Sequence, residues 1–143
     1  MKKLMIGMMV VCSLMAVSGA AWCRDNDNGT VTVNGLVWLK DAGCLGRMNW
    51  NSAMSRVKSL AHGQCDLSDN SKPGDWRLPN LDELKRINSE KSQFKNVQAN
   101  LYWSSSTYAG DSTFAWGVVM LGGGVINGNK GYDFYVWPVR VGQ

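Results

Sequence analysis

One run of the sequence decides the fold: Gly74-Asp-Trp-Arg-Leu-Pro-Asn-Leu-Asp-Glu-Leu84. Its first half is predicted to be extended, because a residue that precedes proline avoids the helical region of backbone space. Its second half is predicted to start a helix, since Asn80 followed three residues later by Glu83 is typical of a capping box. The apolar residues that follow repeat at helical spacing and form one stripe: Leu81, Leu84 and Ile87. We therefore expect a helix that ends near Glu90.

Another helix is predicted upstream of this run. Apolar residues recur there at helical spacing, with Gly63 as the stop signal. They are Trp50, Ala53, Met54, Val57, Leu60 and Ala61. This pattern predicts a helix over residues 51–62. Residues 63–75 are rich in Gly, Ser, Asp and Asn, so we expect a surface loop between the two helices.

Strands are predicted on both sides of the helical region. Before it, Thr30–Val33 and Leu36–Lys40 flank Asn34-Gly35, a pair that favours a two-residue hairpin turn. After it, further strands and turns are predicted at Tyr102–Ser105, Phe114–Leu121, Val125–Ile126, the Asn127-Gly128 turn and Tyr132–Val141. Gly122–Gly124 is expected to join two strands, because no Gly-Lys-Ser/Thr follows as it would in a phosphate loop. This order of elements predicts an α+β domain with an antiparallel meander at its end.

The first 21 residues have the organisation of a secretory signal peptide. Lys2 and Lys3 precede an apolar run from Leu4 to Val17, and small residues follow it. The run is shorter than the roughly 20 residues that a membrane-spanning helix needs. We therefore expect a signal peptide over residues 1–21 and a mature domain over residues 22–143. After cleavage this domain would have no stable membrane anchor and would be periplasmic or secreted.

Length and charge limit the possible functions. The chain has 143 residues, enough for one domain, with 15 Lys+Arg, 11 Asp+Glu and a formal charge of +4. Two of the positive charges, Lys2 and Lys3, belong to the leader, so the mature domain is nearly neutral. A broad positive field is absent, and nucleic-acid binding is therefore not expected.

The sequence offers no metal site and no catalytic set. Asp25–Gly29 begins like a calcium loop, but Leu36 stands where the closing glutamate is required. His62 is the only histidine, and its place at a predicted helix end suits a surface residue better than a general base. The serines at Ser104–Ser106 have no obvious acid partner. We predict a non-enzymatic domain without metal or cofactor.

The cysteines predict one internal disulfide bond in the exported domain, since oxidising compartments preserve such bonds. Cys12 leaves with the leader, and Cys23, Cys44 and Cys65 remain. We favour Cys44–Cys65, because the extended residues beside the first helix can span back along that helix. Cys23 is then free or pairs with another molecule, and a bond from Cys23 to Cys44 or Cys65 is the alternative. The cysteine spacings match no common zinc site.

Further blocks accompany the opening run, in order, across nearly the whole mature chain. They include Gly35-Leu-Val-Trp-Leu-Lys-Asp41, Gly63-Gln-Cys65, Tyr102-Trp-Ser-Ser-Ser106, Ala115-Trp116 and Val136-Trp-Pro-Val-Arg140. This series resembles the bacterial Lcl C-terminal domain family. The resemblance implies a fold like that of C-type lectins and formylglycine-generating enzymes, with two helices packed on twisted antiparallel strands.

The resemblance implies a structural role for the residues of the family motif. These are Trp76, Arg77, Leu78, Pro79, Tyr102, Trp103, Trp116, Trp137 and Arg140. We expect the tryptophans to pack in the core, with a sugar-stacking face as the alternative. The arginines are expected to bind carboxylates such as Asp75 or Asp82, with recognition of an anionic ligand as the alternative.

The resemblance also implies a binding function, because the best-known family member is an adhesin domain that binds sulfated glycans. Four cations stand close together on or after the second predicted helix: Lys85, Arg86, Lys91 and Lys95. We expect them to bind a sulfated or acidic glycan or another polyanion, with Arg56 and Lys58 as the second choice. The alternative is an envelope structural or interaction module whose partner is an envelope or host surface protein. The chain lacks a Gly-X-Y stalk, and the sequence leaves the oligomeric state unknown.

Overall fold

The computed structural model describes residues 10–11 and 22–142. The predicted signal peptide, residues 1–21, lies outside the described residues apart from one two-residue strand. Within the described part of the chain, no helix combines the length and the apolar character that crossing a membrane requires.

The described residues form an α+β domain, which confirms the predicted class. Its elements are β1 (Val10–Val11), β2 (Trp22–Asp25), β3 (Thr30–Val33), β4 (Leu36–Leu39), β5 (Arg47–Met48), α1 (Trp50–Ser59), α2 (Leu81–Ile87), a 3-10 helix (Asn88–Gln93), β6 (Leu101–Thr107), β7 (Phe114–Val119), β8 (Val125–Asn129), β9 (Phe134–Tyr135) and β10 (Val139–Val141). The first sheet has the order β1-β2-β3-β4-β10, and the second has the order β5-β9-β6-β7-β8. The implied likeness to C-type lectins stays a prediction.

The first sheet is built around the predicted hairpin. Asn34 and Gly35 both have positive φ, 49° and 84°, as a two-residue turn of this kind requires. All strand pairs in this sheet are antiparallel. Alternation along β3 then turns Val31 and Val33 into the core and Thr32 towards the opposite face.

The helices begin where the sequence predicts and end differently. The Asn49 side chain caps α1 by accepting a hydrogen bond from the Ser52 amide at 2.9 Å. This helix ends at Ser59, because Leu60 is fully buried with extended backbone. At α2 both halves of the predicted capping box are present, yet the α-helix stops at Ile87 and continues as the 3-10 helix through Gln93. The predicted end near Glu90 therefore falls inside a tighter helix.

The second sheet lies between the two helices. Its central strand β6 places consecutive side chains on opposite faces. Tyr102 packs in one apolar cluster with Leu84 of α2, while Trp103 packs in another with Ala53 and Val57 of α1. Both helices thus bury their apolar stripes against this sheet.

The C-terminal segment differs from its predicted single strand. It forms two short strands, and Pro138 stands between them. Proline has no amide hydrogen to donate to a ladder, so it interrupts the strand. As a result β9 pairs with β5 and β6 of the second sheet, the latter in parallel, and β10 pairs with β4 of the first. The predicted meander is therefore wrong at its last strand.

The predicted Asn127-Gly128 turn is also wrong. Both residues lie inside β8, where Gly128 pairs with Ala115. A side chain at Gly128 would meet the Phe134 ring at 2.8 Å, so the glycine permits close packing. The turn that ends β8 lies instead at Lys130 and Gly131, where the Tyr132 amide donates to the Asn129 carbonyl at 3.0 Å. The three glycines join β7 to β8 as predicted, and Gly122 and Gly123 have positive φ.

The predicted Cys44–Cys65 disulfide is confirmed, with 5.8 Å between the two Cα atoms. It joins the segment before α1 to the loop of residues 63–75. The described residues include no free cysteine, so the expectation of a free thiol at Cys23 is wrong.

Candidate functional site

Most residues of the family motif form the core. Trp76, Trp103 and Trp137 are fully buried, together with Leu78 and Tyr102. The Trp137 indole donates to the Leu39 carbonyl at 2.9 Å, and the Trp103 indole donates to the Met48 carbonyl at 3.0 Å. These bonds satisfy the polar ends of two rings, whereas Trp76 Nε1 has no hydrogen-bond partner among the described residues. Because all three rings are buried, no sugar can stack on them. Trp116 differs from the other three motif tryptophans because it is half-buried, and its ring packs edge-on against Tyr108.

The hydroxyl group of Tyr102 has a structural role. It donates to the Ala42 carbonyl and accepts from the Gln98 amide, both at 2.9 Å. Burial raises the pKa of Tyr102 to about 12. The phenol therefore stays protonated at neutral pH and supplies a fixed hydrogen bond between β6 and the segment after β4.

The motif arginines bind carboxylates, but not the two that were predicted. Arg77 forms a bidentate pair with Glu83 of α2, at 2.7 and 2.9 Å. This hydrogen bond, with the attraction of the two charges, raises the pKa of Arg77 despite partial burial. Arg140 binds Asp69 at 3.1 Å, and its guanidinium carbon lies 5.3 Å from the centre of the Trp76 ring.

The predicted cation cluster is only partly gathered in space. Lys85 and Arg86 are exposed together on α2. The Lys91 amine donates to the Met120 carbonyl at 2.6 Å, so it links the 3-10 helix to the β7–β8 connection. Lys95 instead lines a small cavity of about 310 Å³ with Lys40 and four aspartates. The binding role of the predicted cation cluster, like that of Arg56 and Lys58 on α1, stays a prediction.

The aspartate-lined cavity is a structural ion-pair site. Partial burial would raise the pKa of Asp25, but hydrogen bonds from Lys40 and the Asp27 amide lower it overall. Lys40 thus neutralises the Asp25 carboxylate. Among the residues that the structure describes, no group of His, Cys, Asp and Glu is suited to hold a metal ion.

A larger groove, of about 930 Å³, lies on the outer face of the first sheet. We call it the sheet-face groove. It is lined by Trp22, Cys23, Arg24, Asn26, Asn28, Thr32, Asn34, Gly35, Val37, Asp69, Arg140 and Gly142. Polar side chains predominate in this lining, beside one exposed tryptophan.

Strand register builds the floor of the groove. Arg24 pairs with Thr32, Thr32 with Val37, and Val37 with Arg140. This row crosses four strands at about 4.8 Å per step. The two arginines therefore stand about 14 Å apart at their backbones, with a polar and an apolar residue between them.

One wall of the groove comes from alternation along β2. Cys23 is buried, so Trp22 and Arg24 point to the opposite, outer face. Trp22 is 58% exposed, although its amide donates to the Asn34 side chain at 3.1 Å. An exposed indole therefore stands beside a guanidinium at this rim.

The opposite wall comes from the loop of residues 63–75, which the disulfide anchors at Cys65. The Ser68 amide donates to the Asn28 carbonyl at 3.0 Å, which fastens this loop to the β2–β3 turn. The Asp69 side chain is fully buried and accepts from both the amide and the hydroxyl of Ser71. Its other oxygen binds Arg140, so the loop fixes the position of that arginine in the groove.

Sequence reasoning missed the groove residues other than Arg140. The pattern Trp22-Cys-Arg-Asp25 contained a usable signal, because alternation with a buried cysteine places Trp22 and Arg24 on one face. Asp69 gave no such signal, since it meets Arg140 across 71 positions of sequence.

The comparisons with known proteins identify one family. The family model described as the Lcl C-terminal domain matches residues 21–140, which is nearly the whole described domain. The search of curated proteins found no match to the chain.

Proposed function

Because the chain belongs to the Lcl C-terminal domain family, we propose that it is an exported, non-catalytic binding domain that holds an acidic glycan in the sheet-face groove. Family membership alone names no ligand. The observation that carries the proposal is the lining of the groove, which combines an exposed indole with arginines and amides. Ligand sites generally pair apolar surface with a few convergent polar groups in this way.

Each part of the lining suits one part of a sugar. The exposed ring of Trp22 offers a flat apolar surface for the C–H face of a pyranose. The side chains of Asn28 and Asn34 offer hydrogen bonds to hydroxyl groups. The guanidinium of Arg24 offers a charge-assisted pair for an acidic substituent.

Two features support export. The sequence of residues 1–21 has the order of charged, apolar and small residues found in secretory leaders. Cys44 and Cys65 form a disulfide bond, and disulfide bonds persist in oxidising compartments.

The proposal is tested by measuring binding of the full chain, purified after expression, to an array of neutral and acidic glycans at low salt. We expect selective binding of acidic glycans and at least a tenfold weaker affinity after Arg24→Glu. The reason is that a hydrogen bond to a charged group contributes about 1.5–3 kcal/mol. Arg86→Glu makes the same charge change on α2 and serves as the matched control.

The control also separates the groove from the predicted cation cluster. Loss of binding in Arg86→Glu, with Arg24→Glu unchanged, would move the site to α2 and contradict the groove. Loss in both variants to the same degree would indicate general attraction to positive charge, which also contradicts a built site.

A second candidate function is an envelope interaction module. The β7–β8 hairpin exposes Leu121 by 70% and Ile126 by 47%, and β8 is the edge of the second sheet among the described strands. Exposed apolar edges of this kind mark sites for added strands or partner proteins. A glycan array without hits, together with crosslinking to one envelope protein that Ile126→Lys abolishes, would favour this function.

A further inference from the structure

The charge of the sheet-face groove is small and concentrated at one side chain. Its charged lining residues are Arg24, Arg140 and Asp69. Arg140 is 14% exposed in its side chain, and Asp69, with which it forms an ion pair, is fully buried. Arg24 forms no ion pair or side-chain hydrogen bond with any described residue. One uncompensated positive charge therefore faces the groove.

The neutral side chains of the groove leave mostly donors available. The Asn28 carbonyl oxygen already accepts from the Thr30 amide and hydroxyl, at 3.1 and 2.6 Å. The Asn34 carbonyl oxygen accepts from the Trp22 amide. The NH₂ groups of Asn28 and Asn34 therefore have no partner within the described part of the chain, while each can donate twice.

Asn26 has the opposite arrangement. Its NH₂ group donates to the hydroxyls of Thr30 and Thr32, both at 2.9 Å. Its carbonyl oxygen remains as an acceptor for a ligand hydroxyl. The groove thus offers one cation, two amide donor groups and one amide acceptor.

We propose that the sheet-face groove selects a sugar that carries a single carboxylate, rather than a densely sulfated chain. The carboxylate pairs with Arg24, whose planar guanidinium matches its two oxygens, and the hydroxyls meet the asparagine amides. A sulfated chain brings several charges to each repeat, of which only one finds a cation in the groove. Its other charges lose water without a partner, which opposes binding. This inference rests on the proposed function and narrows its ligand class.

The test compares matched sugars by NMR titration of the full chain. Methyl β-D-glucuronide is compared with methyl β-D-glucoside, 3′-sialyllactose is compared with lactose, and a heparin hexasaccharide is the sulfated probe. We expect the carboxylated member of at least one pair to bind ten times more tightly than its neutral partner and more tightly than heparin. Arg24→Gln should reduce this preference to about unity, and Arg86→Gln should preserve it.

Three outcomes overturn the inference in different ways. If heparin binds more tightly than every carboxylated sugar and Arg24→Gln weakens it, the single-carboxylate inference is wrong and the acidic-glycan proposal stands. If neither the carboxylated sugars nor heparin bind, both proposals are wrong. A carboxylate preference that survives in Arg24→Gln also contradicts the assignment of the charge to Arg24.

Discussion

Two glutamates, the buried Glu90 and the half-buried Glu83, make the stability of this domain depend on pH in opposite directions. Glu90 is only 4% exposed, and its Oε2 atom has no hydrogen-bond partner among the described residues. Burial raises the pKa of Glu90, although a hydrogen bond with Ser89 opposes this effect. A raised folded-state pKa means that the stabilising contribution is complete at low pH and is lost as the pH rises through that value.

We expect Glu90→Gln to stabilise the protein at pH 8 by about 1 kcal/mol or more, because the variant buries no unpaired charge. At pH 4 the variant and the parent should differ little, since the glutamate is protonated there. Urea unfolding at the two pH values measures both differences.

Glu83 is the control with the opposite sign. Its hydrogen bonds with Arg77 lower the pKa of Glu83, so its contribution is present above the unfolded-state pKa and is lost as the pH falls. Glu83→Gln should therefore lower the free energy of unfolding at pH 8, and the decrease should be smaller at pH 4. If both variants showed the same pH trend, the explanation given for Glu90 would be wrong.

At the scale of elements, the β6–β7 ladder depends on a glycine whose backbone angles are ordinary. A Cβ atom at Gly117 would lie 2.5 Å from the Tyr102 carbonyl oxygen and 2.8 Å from the Leu101 side chain. Since that oxygen belongs to the backbone of a neighbouring strand, the sheet itself would have to move.

We expect Gly117→Ala to lower the free energy of unfolding by about 1–3 kcal/mol, the usual cost of overpacking a core. Gly124→Ala is the matched control, because its Cβ would meet no atom within 4 Å. Thermal unfolding followed by circular dichroism compares the two variants. Equal melting temperatures would mean that the ladder tolerates the added methyl group.

The elements that the sequence predicted well depend on neighbouring residues. The capping box at Asn80 and the hairpin turn at Asn34-Gly35 are satisfied by residues at most three positions away. The Asn127-Gly128 prediction failed because pairing with β7 and packing against Phe134 outweigh the local turn preference. The groove could be predicted only in part, since β2 alternation is local while the contact between Asp69 and Arg140 is not.

At the scale of the whole molecule, the disulfide connects the segment before α1 to the loop that borders the sheet-face groove. It closes a loop of 21 positions in sequence, from Cys44 to Cys65, and at Cys65 it anchors the segment of residues 63–75, which carries Asp69 to the groove. We expect the double change Cys44→Ser, Cys65→Ser to lower the free energy of unfolding by about 3 kcal/mol, through added freedom of the unfolded chain. Urea unfolding measures this loss, and an unchanged midpoint would contradict it.

The separation of β9 and β10 by Pro138 also affects the order in which the two sheets form while the chain is synthesised. Val139 pairs with Trp38, which comes much earlier in the sequence, and Phe134–Tyr135 occupies the position between β5 and β6. Neither sheet can be completed until these last residues are available, so contacts of long sequence separation must form late. A nascent chain that still lacks its final ten residues stays incompletely folded. For the export that we propose, this delay would keep the polypeptide in a translocation-competent state while those residues are still missing.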